Sequence, residues 1–337
     1  MTIKSLKNKS ILVTGASGSI GSEIVKLLLT TNCKVVRALS NDEDGMYKLG
    51  NEISQELEKN FDDEMRKNKI RFLIGDVRDL KRNLEVTKKI DIVIHAAAMK
   101  HVPICEYNPK ETYKTNVQGT NKLIKASIEN NVKKFLFIST DKAVEPYSVM
   151  GKTKFLGEKL VLSSNKKNLK TKFSVIRFGN IIGSRGSVLP HFINQIKEGK
   201  NITITDKNIT RFFISIKNAT LEILKSIEIM RGNELFVIKN MRALKILDLA
   251  HALKKIFNSK NKIKITGLRP GEKLHESLFT QLEIKKIIEK KNLLIINNNN
   301  YNSKKNLKTF FNNSGSAKHM KIHEIIKYLI NDIKIIR

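Results

Sequence analysis

Nothing in the sequence approaches the roughly 20 uninterrupted apolar residues that a membrane-spanning helix needs. The longest apolar runs, such as residues 90–98, have the length of a strand. Cysteine is also scarce, with two in 337 residues. Cys33 and Cys105 cannot build a disulfide framework and stand in no metal-ligand spacing, so no metal site is expected and both read as small buried residues or idle thiols. Residues 1–10 carry lysines but no apolar h-region or small-residue cleavage site, which argues against a secretory leader and for the cytoplasm. Acidic residues are outnumbered, 32 against 63 Lys and Arg, giving a net charge of +31. Such a charge attracts polyanions, yet the lysines are scattered along the chain among many Asn and Ile residues, and no nucleic-acid motif accompanies them. A nucleic-acid partner is therefore not expected, and an anionic substrate accounts for whatever part of the charge is functional.

What the sequence does have is alternation. Short apolar runs at residues 10–14, 35–39, 71–75, 91–95, 134–139 and 173–177 are separated by helix-length amphipathic segments, the pattern of βαβ units and a parallel sheet. The expected fold is α/β, a Rossmann-type doubly wound parallel sheet with a smaller C-terminal substrate-binding lobe. Residues 1–180 would form the dinucleotide-binding domain, with 235–238 returning to its sheet, and 181–337 would supply mainly the lobe and tail. Residues 297–313 are rich in Asn and Lys and read as a loop.

The run Thr14-Gly15-Ala16-Ser17-Gly18-Ser19-Ile20-Gly21 follows the first strand and precedes an amphipathic helix at 22–29. Glycines there let the backbone turn sharply and approach a pyrophosphate, which the free N–H groups of the helix terminus stabilise. Gly15, Ser17, Gly18, Ser19, Ile20 and Gly21 are thus candidate cofactor contacts. After the second strand, Ser40-Asn41 stand where an acidic ribose reader is usual. The serine leaves room for a 2′-phosphate, with Arg37 or a lysine as counter-charge, whereas Asp42 could hold a free ribose diol; the balance tips to NADP over NAD. Asp76 and Val77 are placed around the adenine, and Ala96, Ala97 and Ala98 form an open floor beneath the nicotinamide.

After the fifth strand come Ser139-Thr140-Asp141-Lys142 and then Met150-Gly151-Lys152-Thr153-Lys154. Short-chain dehydrogenases carry a Ser/Thr hydroxyl and a Tyr-x-x-x-Lys pair at this place, one helical turn apart. Methionine stands where the tyrosine is expected and cannot transfer a proton. These residues, with His95-Ala96-Ala97-Ala98-Met99-Lys100-His101-Val102-Pro103, Arg177-Phe178-Gly179-Asn180, Thr210-Arg211-Phe212-Phe213 and Gly267-Leu268-Arg269-Pro270-Gly271-Glu272-Lys273-Leu274, resemble the nucleotide-sugar 4,6-dehydratases of bacterial polysaccharide biosynthesis. Some members of that family have Met-x-x-x-Lys. The likeness covers about residues 10–278.

The resemblance implies oxidation at C4 of UDP-N-acetylglucosamine, loss of water across C5 and C6, and return of the hydride to C6. Asp141 would handle protons at the C6 hydroxyl and, in place of the tyrosine, at C4. Lys142 would be the C5 base, with a pKa depressed by burial and by nearby Lys154. Thr140 would hydrogen-bond the C4 oxygen, Lys154 would anchor the nicotinamide ribose, and Met150 would shape the pocket. Asn180, Arg211, Arg269 and Glu272 match positions that hold the uridine diphosphate, and Lys100 and His101 lie near the sugar. Asn116 reads as structural. A homo-oligomer is implied. The glycine loop and Lys100-His101-Val102-Pro103 look more like members that retain the C5 configuration, whereas the short, membrane-free chain and Lys273-Leu274-His275-Glu276 also suit members that invert it; the balance tips slightly to retention. The competing reading is a UDP-sugar 4-epimerase on the same scaffold, which needs no C5 base.

Overall fold

In this computed structural model, residues 3–58, 68–297 and 313–331 are described; most of the Asn/Lys-rich 297–313 stretch lies outside them. The strands are β1 (Ser10–Thr14), β2 (Val35–Ser40), β3 (Ile70–Ile74), β4 (Ile92–His95), β5 (Lys134–Ile138), β6 (Lys172–Arg177), β7 (Asn180–Ile181), β8 (Ile202–Ile204), β9 (Thr210–Ile214), β10 (Glu234–Ile238), β11 (Arg242–Lys245), β12 (Ile263–Ile265), β13 (Ile287–Lys290) and β14 (Leu293–Asn297). The main sheet has the order β13-β14-β10-β6-β5-β4-β1-β2-β3. From β3 to β10 every pairing is parallel. This is a Rossmann-type doubly wound sheet, whose order reverses between β1 and β4; ligands bind at the carboxyl ends of the strands at such a point.

The strands β1 and β4–β6 are nearly all buried because both faces of the sheet are covered, so their sequences run apolar rather than alternating. The helices are α1 (Ser19–Leu29), α2 (Glu43–Glu58), α3 (Leu80–Thr87), α4 (Val102–Tyr107), α5 (Pro109–Tyr113), α6 (Thr120–Glu129), α7 (Val149–Ser163), α8 (Val188–Lys197), α9 (Ile216–Ile229), α10 (Ile246–Ile256), α11 (Gln281–Ile284) and α12 (Ile322–Asn331). Ile24 and Leu28 of α1 and Ile223 and Ile227 of α9 cover one face, joined to Ile11 and Val13 of β1 in one core. Val86 of α3, Leu123 of α6 and Val161 of α7 cover the other, with Leu12 and Val93. A third core, built from Phe192, Ile204, Phe213, Leu249, Leu253 and Ile325, lies among α8, β8, β9, α10 and α12.

Two differences from the sequence reading concern the sheet. Helix α1 begins at Ser19, three residues earlier than expected, because Gly18 serves as its N-cap and Gly21 falls inside its first turn. Beyond the seven parallel strands, a β13–β14 hairpin adds an antiparallel edge, with β14 against β10.

A buried ion network ties the sheet to the later segments. Arg177, at the end of β6, donates through Nε and Nη2 to both carboxylate oxygens of Glu158 on α7, at 3.0 and 2.7 Å. It also bonds the Leu278 carbonyl and Glu283 of α11, while Glu158 accepts from the Ser139 hydroxyl at the end of β5. Both Arg177 and Glu158 are 2% exposed. Burial works against the charge on Arg177, but the two carboxylates overcome it and hold the guanidinium more firmly protonated than usual. Removing one partner of such a network strands a buried charge, so Arg177→Met should lower stability by about 3–5 kcal/mol in urea unfolding.

His95 closes β4 and is wholly buried. The Thr120 hydroxyl donates to the Asn116 carbonyl and so must accept from His95 Nε2, which leaves Nδ1 to accept from the Thr14 hydroxyl at 2.7 Å. Burial, aided by the charge of Lys154, lowers the imidazole pKa to about 3. The unfolded chain therefore binds a proton between the ordinary histidine value near 6.5 and about 3 that the folded chain does not. Stability from this residue is complete above that window and should fall by up to roughly 1.4 kcal/mol per pH unit as the pH drops through it. Denaturant titrations at stepped pH should show a shallower acid slope for His95→Gln than for the wild type.

Candidate active site

The carboxyl ends of β1–β6 open onto a cavity of about 730 Å³, within the size range of cofactor and ligand pockets. Its wall contains Gly15, Ser17, Gly18, Ser19, Ile20, Gly21, Ser40 and Asn41 at one end. Asp76, Val77 and Ala96 to Ala98 follow, then Lys100 and His101, and finally Thr140, Lys142, Met150, Lys154 and Asn180. The structure thus brings together most of the residues picked out from the sequence.

The glycine loop has the shape of a phosphate cradle. Gly15 adopts φ +65°, and a Cβ there would come within 2.7 Å of the Ala97 backbone. A Cβ on Gly21 would lie 2.1 Å from the Gly15 carbonyl oxygen, so only glycine lets α1 begin this close to β1. The residues present therefore fit a dinucleotide, with its pyrophosphate at the α1 N-terminus. Arg185, which the sequence reading did not single out, bonds the Ser17 carbonyl through its guanidinium and the Ser19 hydroxyl through its backbone N–H. The Ser17 and Ser40 hydroxyls are bonded at 2.8 Å and fix the turn from β1 to the end of β2.

The expected counter-charge Arg37 is elsewhere. It sits mid-strand in β2, and its guanidinium donates to the Val86 and Lys88 carbonyls at the end of α3, where it satisfies the helix terminus. Arg78 lines the cavity instead, held by Asp76 and Glu111. Asp42 accepts from the Gly45 N–H at the start of α2, and that bond holds its carboxyl below the usual range.

Asn116 anchors the floor: its side chain bonds both backbone groups of Met99 and the Thr153 hydroxyl of α7. Helix α7 is capped by Ser148, which accepts from the Gly151 N–H. Met150 and Lys154 then face the cavity one turn apart, 4% and 6% exposed. Burial pushes the Lys154 pKa down to about 7, opposed by Glu158; its ammonium donates to the Ile138 carbonyl and lies 4.1 Å from the centre of the Phe137 ring.

Beyond β5 the chain makes a single tight turn, Asp141–Ala143, pinned where the Asp141 N–H donates to the Phe178 carbonyl. Asp141 is fully buried and does not line the cavity. Its Oδ1 accepts from the Thr140 hydroxyl at 2.9 Å and from Lys142 Nζ at 3.0 Å. Lys142 also donates to Asn180 Oδ1 at 3.0 Å and lies 3.4 Å from Glu276 Oε1. Burial tends to lower the Lys142 pKa, but Asp141 and Glu276 outweigh it and the net shift is upward. This corrects the expectation of a depressed lysine: the carboxylates beside it dominate. Glu276 itself was missed, although the phrase Lys273-Leu274-His275-Glu276 follows directly on the Gly267–Leu274 motif.

Arg211, Glu272 and Arg269 are not part of the cavity wall. Arg211 is 6% exposed; it bonds the Thr210 and Leu274 carbonyls and pairs with Glu272 Oε1 at 3.5 Å. Glu272 also accepts from the Arg269 N–H, and the Arg269 side chain is exposed. Both Cys33 and Cys105 are buried free thiols whose pKa values burial pushes up. Among the described residues no cluster of His, Cys, Asp and Glu is placed to hold a metal, and no helix is long and apolar enough to cross a membrane.

Comparison with known proteins agrees with this architecture. The family model described as polysaccharide biosynthesis protein matches residues 11–298. A UDP-N-acetylglucosamine 4,6-dehydratase (inverting) of Campylobacter jejuni is 42% identical over 277 residues, covering 81% of this chain and 78% of that one. A UDP-glucose 4-epimerase of Rickettsia bellii is 40% identical over 285 residues, covering 83% and 80%. The X-ray structure of Pen from Bacillus thuringiensis superposes with a TM-score of 0.87 at 37% identity, covering 97% of this chain and 98% of that chain. Cradle, sheet order and matched sequence agree: the chain belongs to the polysaccharide biosynthesis protein family, whose relatives similar to it include a nucleotide-sugar dehydratase and a nucleotide-sugar epimerase.

Proposed function

We propose that the protein is a UDP-N-acetylglucosamine 4,6-dehydratase that makes a UDP-4-keto-6-deoxy-N-acetylhexosamine for surface polysaccharide or glycan synthesis. The observation that carries the reading is the Thr140–Asp141–Lys142 group at the end of β5, set beside Met150 where a proton-transferring tyrosine would stand. The bound nicotinamide would supply the hydride acceptor for C4 and the donor for C6. The protein's own task is then to move protons.

Thr140 Oγ1 lines the cavity and already donates to Asp141, so it can receive the C4 hydroxyl proton while its own proton passes to Asp141 Oδ1. The same two groups return that proton to the C6 hydroxyl as it leaves. Lys142 takes the C5 proton, and Asn180 fixes its direction. Lys154 holds the nicotinamide ribose, and Met150 fills space and keeps water out. Arg211 and Glu272 orient the uridine diphosphate from behind the sugar, with Arg269 free at the surface to close on the phosphates. For the cofactor we favour NADP: Ser40 and Asn41 present no carboxylate to a 2′-phosphate, and Arg78 stands in the same wall.

The 4-epimerase reading draws its support from the Rickettsia relative. It requires neither a base at C5 nor a route for the C6 hydroxyl, and it leaves Lys142 without a task.

Purified protein with UDP-N-acetylglucosamine and NADP in deuterated water should yield a 4-keto-6-deoxy product by NMR, with deuterium and configuration at C5 read from the same spectrum. A C4 epimer with its C6 hydroxyl intact would establish the epimerase instead. Asp141→Asn should reduce turnover by roughly 100-fold or more with NADP affinity unchanged in calorimetry. Gly21→Ala, by contrast, should abolish NADP binding because its Cβ collides with the Gly15 carbonyl; on the wild type, NADP should bind at least about tenfold more tightly than NAD, a difference of about 1.4 kcal/mol.

A further inference from the structure

The proposed base raises a problem that the site itself answers. Lys142 is held by two carboxylates, Asp141 Oδ1 at 3.0 Å and Glu276 Oε1 at 3.4 Å, and a lysine so held keeps its proton. A protonated amine cannot take the C5 hydrogen. Glu276 is 2% exposed and arrives from a segment more than a hundred residues downstream, rooted by a reciprocal pair of bonds: its N–H donates to the Ser314 hydroxyl and the Ser314 N–H donates to its carbonyl. Among the described residues, Glu276 Oε2 and Asp141 Oδ2 are both buried with no hydrogen-bond partner. The charged groups that face Lys142 are Asp141 from its own turn, Glu276 from the C-terminal segment and Arg211 from β9, the last already paired with Glu272.

We propose that Glu276 is the residue that holds the Lys142 proton during turnover, so that Lys142 becomes a base only after C4 has been oxidised. The proposal rests on the dehydratase reading above. At rest one ammonium lies between two carboxylates. Oxidation at C4 delivers the hydroxyl proton through Thr140 to Asp141, which becomes neutral and no longer favours the charged form of Lys142. An N–H bond of Lys142 then breaks as an O–H bond forms on Glu276, leaving a neutral amine. Its lone pair takes the C5 proton, the C5–H electrons form the C5–C6 double bond, and the C6–O bond breaks as the proton on Asp141 leaves with the oxygen as water. Once C6 has regained its hydride, Lys142 returns a proton to C5 and recovers the one kept on Glu276. Every proton is accounted for, and no reagent beyond the recycled nicotinamide is required. The new O–H bond forms on Oε1, the oxygen 3.4 Å from Nζ, and the unpartnered Oε2 means that no donor on that oxygen opposes neutralisation of the carboxylate.

The test uses Glu276→Gln, which keeps the shape, and Glu276→Asp, which keeps the acid. In NADP-loaded enzyme acting on UDP-N-acetylglucosamine, kcat of the wild type should stay level from about pH 7 to 9, a range bounded by ordinary histidine and lysine values. That of Glu276→Gln should fall at least about tenfold near neutrality and climb with pH, because Lys142 must then lose its proton to solvent. Glu276→Asp should recover part of the loss. Independently of turnover, NMR titration of the lysine side chains, with Lys142 assigned by its absence in Lys142→Arg, should show Lys142 titrating at lower pH in Glu276→Gln than in the wild type. A loss of kcat by the same factor at every pH, unchanged turnover in Glu276→Gln, or an unmoved Lys142 titration would each overturn the proposal. A wild type that forms no 4-keto sugar defeats the dehydratase reading separately, since the titration needs no substrate.

Discussion

The buried Arg177 guanidinium holds the molecule's working parts in one frame. It stands at the carboxyl end of β6 and reaches, through Glu158, both the α7 helix that carries Lys154 and the Ser139 hydroxyl beside Thr140 and Asp141. Through the Leu278 carbonyl and Glu283 it also grips the segment that delivers Glu276. A charge network this deep contributes little net stability compared with an apolar core of the same volume. What it gives is position, because the directional bonds allow only one arrangement of β5, β6, α7 and the C-terminal segment.

The cofactor half was the more legible in the sequence. Strands buried on both faces write themselves as short apolar runs, and the glycines at 15 and 21 answer a steric demand that no other residue meets, so β1, its loop and α1 could be read directly. The return of residues 235–238 could be suspected from the same apolar signature. The β13–β14 hairpin could not, since β13 is short and largely exposed and β14 pairs with a strand about sixty residues earlier. Arg37 misled because it was judged by its nearness to Ser40. Its alternation with buried Val36 and Ala38 sends the side chain toward α3, and strand periodicity held that information.

The chemistry was legible in identity but not in charge state. Asp141 and Lys142 stood out by place, yet whether a lysine is a free base or a clamped cation depends on groups that sequence proximity does not reveal. Lys154, near in sequence, was expected to depress Lys142; the adjacent Asp141, joined by Glu276 from 134 positions away, raises it instead. Burial likewise takes Asp141 out of the cavity wall and leaves the Thr140 hydroxyl, which donates to its Oδ1, as the neighbour that faces the cavity. Arg211 and Glu272 are paired to each other outside the cavity wall, a pairing that the motifs carrying them do not reveal.

Residues 270–283 also matter to the order in which the protein comes into being. A chain emerging from the ribosome has the glycine cradle and strands β1 to β6 on hand by Arg177, and domains tend to form as their sequence appears. Glu276, the Leu278 carbonyl and Glu283 come a hundred residues later. For that interval Glu158 is the one carboxylate partner of Arg177 on hand, and Lys142 has Asp141 and Asn180 but not Glu276. The growing chain therefore has every residue of the glycine cradle well before it has the carboxylate that completes the ion pairs of Lys142.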